Sequence, residues 1–114
     1  THFVHLRSCH IFPNGNFTEA SHLGGRGDLI ELCRIFEQAE KDGKCNSGRR
    51  LPMRVDHGMT FTDEPGGVFD ESNHGHNSGY TLLGRMFAMG QIQGVIATVD
   101  RELGIEYKQP GFYD

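Results

Sequence analysis

The sequence predicts a parallel α/β fold, because segments typical of strands alternate with segments typical of helices. Residues 1–6 and 51–56 have the composition of short strands, whereas residues 28–43 and 80–103 have the spacing of helices. The order strand, helix, strand, helix is that of parallel α/β proteins. In addition, both strand-to-helix loops have roughly 20 residues, where about 2 to 6 is ordinary.

The first helix has well-marked ends and one apolar face. Asp28 is a suitable N-cap, and Glu31, three residues later, is its partner in a capping box. Gly43 is expected to end the helix. The apolar residues that recur at helical spacing are Leu29, Leu32, Cys33, Phe36 and Ala39.

The second helix is predicted from a weaker pattern over residues 80–103. Its apolar positions are Leu83, Phe87, Ile92, Ile96, Val99 and Leu103. Glycines at 84, 90 and 94 either lower the helix propensity or mark close packing on a neighbour. We predict irregular loops over residues 9–27, where Pro13, Asn14 and Gly15 signal a turn, and over residues 57–78.

Composition and charge describe one small domain and exclude several function classes. The 114 residues include 11 Lys and Arg against 15 Asp and Glu, so no excess of positive charge favours nucleic acid. We find no run of about 18 apolar residues and predict no membrane span. Three irregularly spaced cysteines, Cys9, Cys33 and Cys45, favour a reducing, cytoplasmic environment over a disulfide framework.

The predicted elements are too few for an independent parallel α/β domain. A sheet of two strands is marginal at best, and an α/β barrel requires eight strands and about 250 residues. The chain also begins at Thr1, without Met. We therefore expect this sequence to be a portion of a longer protein.

Polar side chains cluster where the two predicted strands end. His5 and Arg7 share one face of the first strand, and Asp56 and His57 end the second. Active sites of parallel α/β proteins are built at the carboxyl ends of the strands. An imidazole and a carboxylate are good ligands for a divalent ion such as Mn, Fe or Zn, although a catalytic metal needs at least three protein ligands. The sequence therefore predicts part of a metal site, formed by His5 and Asp56.

Taken singly, these residues have simpler interpretations. A histidine at a strand end is more often a hydrogen-bonded structural residue, Asp56 could cap a turn ahead of Gly58, and Arg7 could pair with a surface carboxylate. The coincidence of His5, Arg7, Asp56 and His57 at two strand ends, each followed by an oversized loop, favours a functional site.

Three blocks of this sequence resemble the mannonate dehydratase family. "HLRS" followed by "FTEASHLGGRGD", then "LPMRVDHG", then "NSGYTLLGR" match family motifs in the family's order and cover almost the whole chain. The resemblance implies that residues 1–114 are the C-terminal quarter, strand–helix–strand–helix, of a single (β/α)8 TIM-barrel domain.

The resemblance also implies a reaction and a cofactor. D-mannonate would lose water to give 2-keto-3-deoxy-D-gluconate in hexuronate catabolism, with Mn²⁺ or Fe²⁺ bound. His5 and Asp56 match two of the family's metal ligands, and the remaining His and Cys ligands are expected in earlier strands that this chain lacks.

Four further positions match functional residues of that family. His57 and Tyr80 match its acid–base pair, and their two roles can be exchanged. Arg7 and His22 match positions expected to face the sugar acid. The full-length enzyme is expected to be a homo-oligomer that binds neither nucleic acid nor membranes.

Two other functions remain open at this point. A barrel of similar build with the same metal could isomerise a sugar, and only dehydration would give a 2-keto-3-deoxy acid. Alternatively, the 114 residues could be a non-catalytic fragment or a small metal-binding or interaction module. For the isolated chain we predict no activity.

Overall fold

The structure is a computed structural model of the chain, and it describes residues 2–45, 49–56 and 82–107. Within these ranges the elements alternate between strands and helices, with one additional hairpin near the start. In chain order they are β1 (Val4–Leu6), β2 (Cys9–Ile11), β3 (Phe17–Glu19), α1 (Leu29–Lys41), β4 (Met53–Val55) and α2 (Leu82–Leu103).

Strands β1 and β4 form a parallel pair, as the alternation of strands and helices predicts. The register places His5 opposite Arg54 and Leu6 opposite Val55. The ladder continues past the strand ends, where Asp56 N–H donates to the Leu6 carbonyl at 2.9 Å. Side chains of β1 alternate, with Val4 and Leu6 buried and His5 exposed, so one face of the pair packs on the protein interior. Both strands are shorter than the predicted ranges 1–6 and 51–56.

Helix α1 has the predicted ends. The Asp28 side chain accepts a hydrogen bond from the Glu31 N–H at 3.0 Å, which satisfies one of the unpaired donors of the first turn. At the other end Gly43 has φ +68°, a conformation that favours glycine. Lys44 N–H then donates to the Ala39 carbonyl at 2.9 Å, which is the hydrogen bond of a Schellman motif.

Helix α2 exists as predicted, but two of the apolar positions that predict it, in its N-terminal half, are not buried. Leu83 and Phe87 are 55% and 41% exposed, whereas the small residues Gly84 and Ala88 are buried. Small side chains allow the helix backbone to approach its neighbours closely, which a pattern of large apolar residues does not reveal. Farther along the helix, Ile92, Val95 and Val99 are buried.

The N-terminal half of α2 carries an exposed apolar surface. It is formed by Leu82, Leu83, Met86, Phe87 and Met89. Among the described residues α2 is the one helix long and apolar enough to cross a membrane, by length and composition alone. Core helices of water-soluble proteins have the same composition, so this property does not distinguish the two environments.

Residues 9–27 contain an antiparallel hairpin, which the prediction of an irregular loop missed. Strands β2 and β3 pair with His10 opposite Thr18. The predicted turn is present, with Gly15 at φ +89° and Asn16 N–H donating to the Asn14 side chain at 2.9 Å. Strands of three residues are too short for alternation of apolar and polar residues to identify them.

The core lies between the buried face of β1 and β4 and the two helices. Leu6, Cys33 and Val99 are essentially inaccessible to solvent, with exposed fractions of 0–1%. The full set of buried core residues is Val4, Leu6, Leu29, Cys33, Cys45, Leu51, Ile92, Val95 and Val99.

Two carboxyl groups are buried together where α1 packs on α2. Glu37 is 2% exposed and Asp100 is 0% exposed. Burial, followed by the nearby Asp100 carboxyl group, raises the pKa of Glu37 from 4.5 to about 8. Among the charged neighbours, Glu40 also raises this pKa, whereas Arg50, with Nη2 4.0 Å from Glu37 Oε2, lowers it. Glu37 therefore holds a proton at neutral pH.

We predict that Glu37 makes stability depend on pH. The folded protein keeps this proton between pH 4.5 and about 8, where the unfolded chain has lost it, so stability falls as pH rises through that interval. The slope from this one group is about 1.4 kcal/mol per pH unit at most. In E37Q, whose side chain does not titrate, this slope should disappear.

The measurement is the free energy of unfolding in urea at pH 5, 6.5 and 8. The matched control is E106Q, which neutralises an exposed glutamate outside the interface between α1 and α2 and should keep the slope. An unchanged slope in E37Q would contradict the assignment.

A second prediction concerns Gly25, which packs against the segment after β1. A Cβ atom at residue 25 would lie 2.9 Å from Ser8 Cβ and 3.0 Å from the Cys9 backbone nitrogen. Gly25→Ala should therefore lower the free energy of unfolding by about 1–3 kcal/mol through overpacking.

The control for Gly25→Ala is Gly94→Ala in α2, where an added Cβ meets no atom within 4 Å. Because glycine weakens a helix interior, this variant should gain about 0.5–1 kcal/mol. If urea unfolding gave both variants the same change, the close approach at Gly25 would be excluded as the cause.

Candidate functional site

The carboxyl ends of β1 and β4 bring a histidine and an aspartate together. His5 Nδ1 lies 3.5 Å from Asp56 Oδ1, and their side chains are 48% and 27% exposed. The Phe3 ring packs edge-on against the His5 imidazole at a centroid distance of 4.9 Å, which restricts the orientation of the imidazole. The predicted approach of His5 and Asp56 is confirmed, and it follows from the parallel pairing of the strands.

The distance between these two atoms is compatible both with an ion pair and with two ligands of one cation. Ligand atoms about 2.1 Å from a common ion lie about 3.0–3.5 Å apart at octahedral or tetrahedral angles. The observed separation of 3.5 Å fits this range, and both side chains reach the surface. Within residues 2–45, 49–56 and 82–107 no group of three or more His, Cys, Asp or Glu side chains could hold a metal ion. A catalytic metal requires at least three protein ligands, so the described residues do not form a complete metal site.

Arg7, predicted to bind substrate, is held by an acidic residue of the hairpin. Its Nε donates to Glu19 Oε1 at 2.9 Å, and its Nη2 donates to the same oxygen. The hydrogen bond and charge of Glu19 raise the pKa of Arg7, which remains a cation. The guanidinium also lies 5.6 Å from the centre of the Phe17 ring. A guanidinium has five N–H donors, and the Glu19 contact uses donors on Nε and Nη2 only.

His22, also predicted to face the substrate, lies under the end of β1. Its side chain is 0% exposed, and its Nε2 is 2.9 Å from the Leu6 carbonyl oxygen. Arg7 and His5 project from the exposed face of the same segment, whereas Leu6 and Ser8 are buried. The structure thus brings His5, Asp56 and Arg7 to one edge and places His22 beneath them.

The two predicted acid–base residues, His57 and Tyr80, lie outside the described residues, so their roles stay predictions. His57 is the chain neighbour of Asp56.

The sequence interpretation missed Glu19 as a member of this site. Because residues 9–27 were predicted to be an irregular loop, nothing indicated that Glu19 would return to the end of the first strand. The hairpin provides this return, since Cys9 is opposite Glu19 in its register. The acidic residue within "FTEASHL" was the available signal. Cys9 is partly buried, and burial together with the charge of Glu19 raises the pKa of its thiol.

A largely apolar cleft of about 700 Å³ lies between β4 and α2. Its apolar lining includes Leu51, Met53, Met89, Ile92 and Ile96. Charged side chains also line it, namely Glu37, Arg50, Arg54 and Arg85. Among the described residues β4 pairs only with β1, so its other edge has no described strand beside it.

Comparison with known proteins gives a consistent family. A family model described as D-mannonate dehydratase (UxuA) matches residues 1–106. Mannonate dehydratase 2 of Agrobacterium fabrum is 35% identical over 103 residues, which cover 89% of this chain and 24% of that protein. The mannonate dehydratase of Saccharophagus degradans is 32% identical over 101 residues, covering 87% of this chain and 24% of that relative.

A third relative, the mannonate dehydratase of Marinomonas sp., is 34% identical over 106 residues, or 91% of this chain and 24% of that protein. The chain therefore spans about a quarter of the length of the curated relatives it matches. The match over residues 1–106 includes the strand pair, the hairpin and both helices, and on this basis the chain belongs to the D-mannonate dehydratase family.

Proposed function

We propose that the protein carrying this chain is a mannonate dehydratase, a hydro-lyase that removes water from D-mannonate to give 2-keto-3-deoxy-D-gluconate. The observation that carries this proposal is the approach of His5 Nδ1 to Asp56 Oδ1 at the carboxyl ends of two parallel strands. Membership of the family, and the names of relatives that cover most of this chain, support the choice of reaction.

The parent fold in this proposal is a (β/α)8 barrel, of which residues 1–114 are the C-terminal quarter. Three features support it: the chain has a quarter of its relatives' length, one edge of β4 beside the cleft has no strand next to it within the described ranges, and α2 exposes an apolar surface. Each of these surfaces would be covered by further strands and helices of one domain. An exposed apolar surface of this kind marks a contact with another part of a protein.

The proposed cofactor is Mn²⁺ or Fe²⁺, held in part by His5 and Asp56. The fit rests on the donor set, because one imidazole nitrogen and one carboxylate oxygen are suited to these ions and lie at the spacing of neighbouring ligands. The remaining ligands would come from outside the described residues. When bound, the cation would act as a Lewis acid that stabilises negative charge developing on the substrate.

The residues of this chain would move two protons during dehydration. One group removes the proton from C2 of mannonate, and a second protonates the C3 hydroxyl as the C3–O bond breaks. The resulting C2–C3 enol gains a proton at C3 and loses the proton of its C2 hydroxyl group, which gives the 2-keto-3-deoxy acid, so one water is lost overall. His57 suits one of these roles because imidazole titrates near neutral pH, and Tyr80 is proposed for the other.

Arg7 is proposed to bind the carboxylate of the substrate. Its contact with Glu19 fixes the guanidinium beside the His5–Asp56 pair, and an oriented guanidinium can bind a carboxylate through two parallel hydrogen bonds. Glu19 neutralises part of the positive charge of Arg7. We therefore expect the substrate carboxylate to be bound mainly by oriented hydrogen bonds rather than by a strong positive potential.

We further propose a cytoplasmic homo-oligomer whose ligand is a sugar acid. The cysteines Cys9, Cys33 and Cys45 are free thiols, which agrees with a reducing compartment. The net charge of −4 gives no support to a nucleic-acid partner.

The test is the Asp56→Asn variant of the whole protein, assayed with D-mannonate and Mn²⁺. We expect the 2-keto-3-deoxy product to fall by about 100-fold or more, and bound Mn²⁺ to decrease, because one anionic ligand is lost. The matched control is Asp42→Asn, an exposed carboxylate at the end of α1, which should retain activity within about two-fold.

Product analysis separates the proposed reaction from its alternatives. If the protein binds Mn²⁺ but leaves mannonate unchanged, the proposed metal site stands and the proposed substrate is wrong. A sugar isomer in place of the 2-keto-3-deoxy acid would favour an isomerase of similar build.

The isolated 114-residue chain should show no turnover of D-mannonate at any Mn²⁺ concentration. The reason is that the remaining ligands of the proposed metal site are expected from strands that this chain lacks, whereas a catalytic site needs at least three protein ligands. Turnover above the protein-free blank by the purified chain would contradict this prediction, and the whole protein is the positive control.

A further inference from the structure

We infer that His22 is a positioning residue, which fixes the Leu6 carbonyl group and thereby holds His5 and Asp56 at their mutual distance. This inference rests on the proposed function only in assigning His5 and Asp56 to a metal. Its structural basis is that the Leu6 carbonyl oxygen accepts two hydrogen bonds, one from His22 Nε2 at 2.9 Å and one from Asp56 N–H at 2.9 Å.

The shared carbonyl lies between the two proposed ligands. Leu6 is the chain neighbour of His5, and the hydrogen bond from Asp56 N–H to Leu6 is the last described connection between the β1 and β4 segments. A carbonyl oxygen has two lone pairs, so it accepts both donors without competition. Any movement of this carbonyl would change the distance between the His5 imidazole and the Asp56 carboxylate.

The last hydrogen bond of a short strand pair requires stabilisation of this kind. The pair contains two strands of three residues each, and the terminal hydrogen bonds of such a pair open readily. His22 donates from outside the sheet and is 0% exposed, while Leu6 is 1% exposed, so water does not compete for the carbonyl. Its position is set by the hairpin, because Ala20 N–H donates to the Ser8 carbonyl at 3.0 Å just before His22.

Burial also distinguishes this role from contact with substrate. His22 presents no accessible surface in the described part of the chain, and its one recorded hydrogen bond goes to the backbone beneath the site. Its Nδ1 has no hydrogen-bond partner among the described residues. A proton on Nδ1 would therefore be an unsatisfied buried donor, and the ring is expected to carry its proton on Nε2.

The experiment compares His22→Gln with His22→Met in the whole protein. The two side chains have similar length and volume, but only Gln can donate a hydrogen bond to the Leu6 carbonyl. Three properties are measured: Mn²⁺ affinity without substrate, hydrogen exchange of the peptide segment containing Asp56 N–H, and KM and kcat for D-mannonate at saturating Mn²⁺.

We expect the Met variant to bind Mn²⁺ about 10- to 100-fold more weakly, as for loss of a group that orients a metal ligand. Exchange at Asp56 should be faster, and kcat should fall while KM stays within about two-fold. The Gln variant should recover most of the Mn²⁺ affinity and the slow exchange at Asp56.

Several outcomes would overturn the inference. If the Met variant raises KM while Mn²⁺ affinity and exchange at Asp56 are unchanged, His22 contacts substrate instead. Equal losses in the Gln and Met variants would show that packing rather than the hydrogen bond matters. Should the Met variant fail to fold, nitrogen-15 NMR of the unsubstituted protein decides, since a proton on Nδ1 with none on Nε2 contradicts the inference.

Failure of the proposed function would be recognised separately. If the protein neither binds Mn²⁺ nor dehydrates mannonate, the proposed reaction is wrong. The exchange of Asp56 N–H in the two variants still reports whether His22 holds the Leu6 carbonyl.

Discussion

The parallel pairing of β1 and β4 is the interaction on which the candidate site depends. Its register places both carboxyl ends at one edge, and the final hydrogen bond from Asp56 N–H to the Leu6 carbonyl sets the position of the aspartate. The His5 imidazole projects from the exposed face beside that carbonyl, 3.5 Å from the Asp56 carboxylate. The backbone hydrogen bond between the two strand ends thus keeps an imidazole and a carboxylate close together, although they are about 50 residues apart in sequence.

The hairpin β2–β3 supports this edge from two sides. On the exposed side Glu19 holds the Arg7 guanidinium, and on the buried side His22 donates to the Leu6 carbonyl. The hairpin is also tied to the chain after β1 by close packing of Gly25 on Ser8. The segment between β1 and α1 therefore makes two contacts with this edge, one through Glu19 and one through His22. Both contacts depend on where β3 ends.

Parts of the described surface are apolar. Among the described residues one edge of β4 has no strand beside it, a largely apolar cleft lies between β4 and α2, and the N-terminal half of α2 exposes apolar side chains. Where α1 packs on α2, in contrast, burial is complete enough to keep a proton on Glu37 next to Asp100. The two helices thus pack on each other within this chain, which spans about a quarter of the length of the relatives it matches.

The sequence by itself determined the α/β alternation and both ends of α1, because capping and turn residues act over a few positions. It also indicated that His5 and Asp56 lie near the ends of the two strands, but their approach depends on the parallel pairing of β1 with β4. The family was also evident from the "HLRS" and "RVDHG" blocks. Only the tertiary structure decided that Gly84 and Ala88 rather than Leu83 and Phe87 face inward, that residues 9–19 form a hairpin, and that Glu19 and His22 flank the site. These features arise from contacts between segments distant in sequence, where the fit of small side chains and the accessibility of a backbone carbonyl outweigh local hydrophobic pattern.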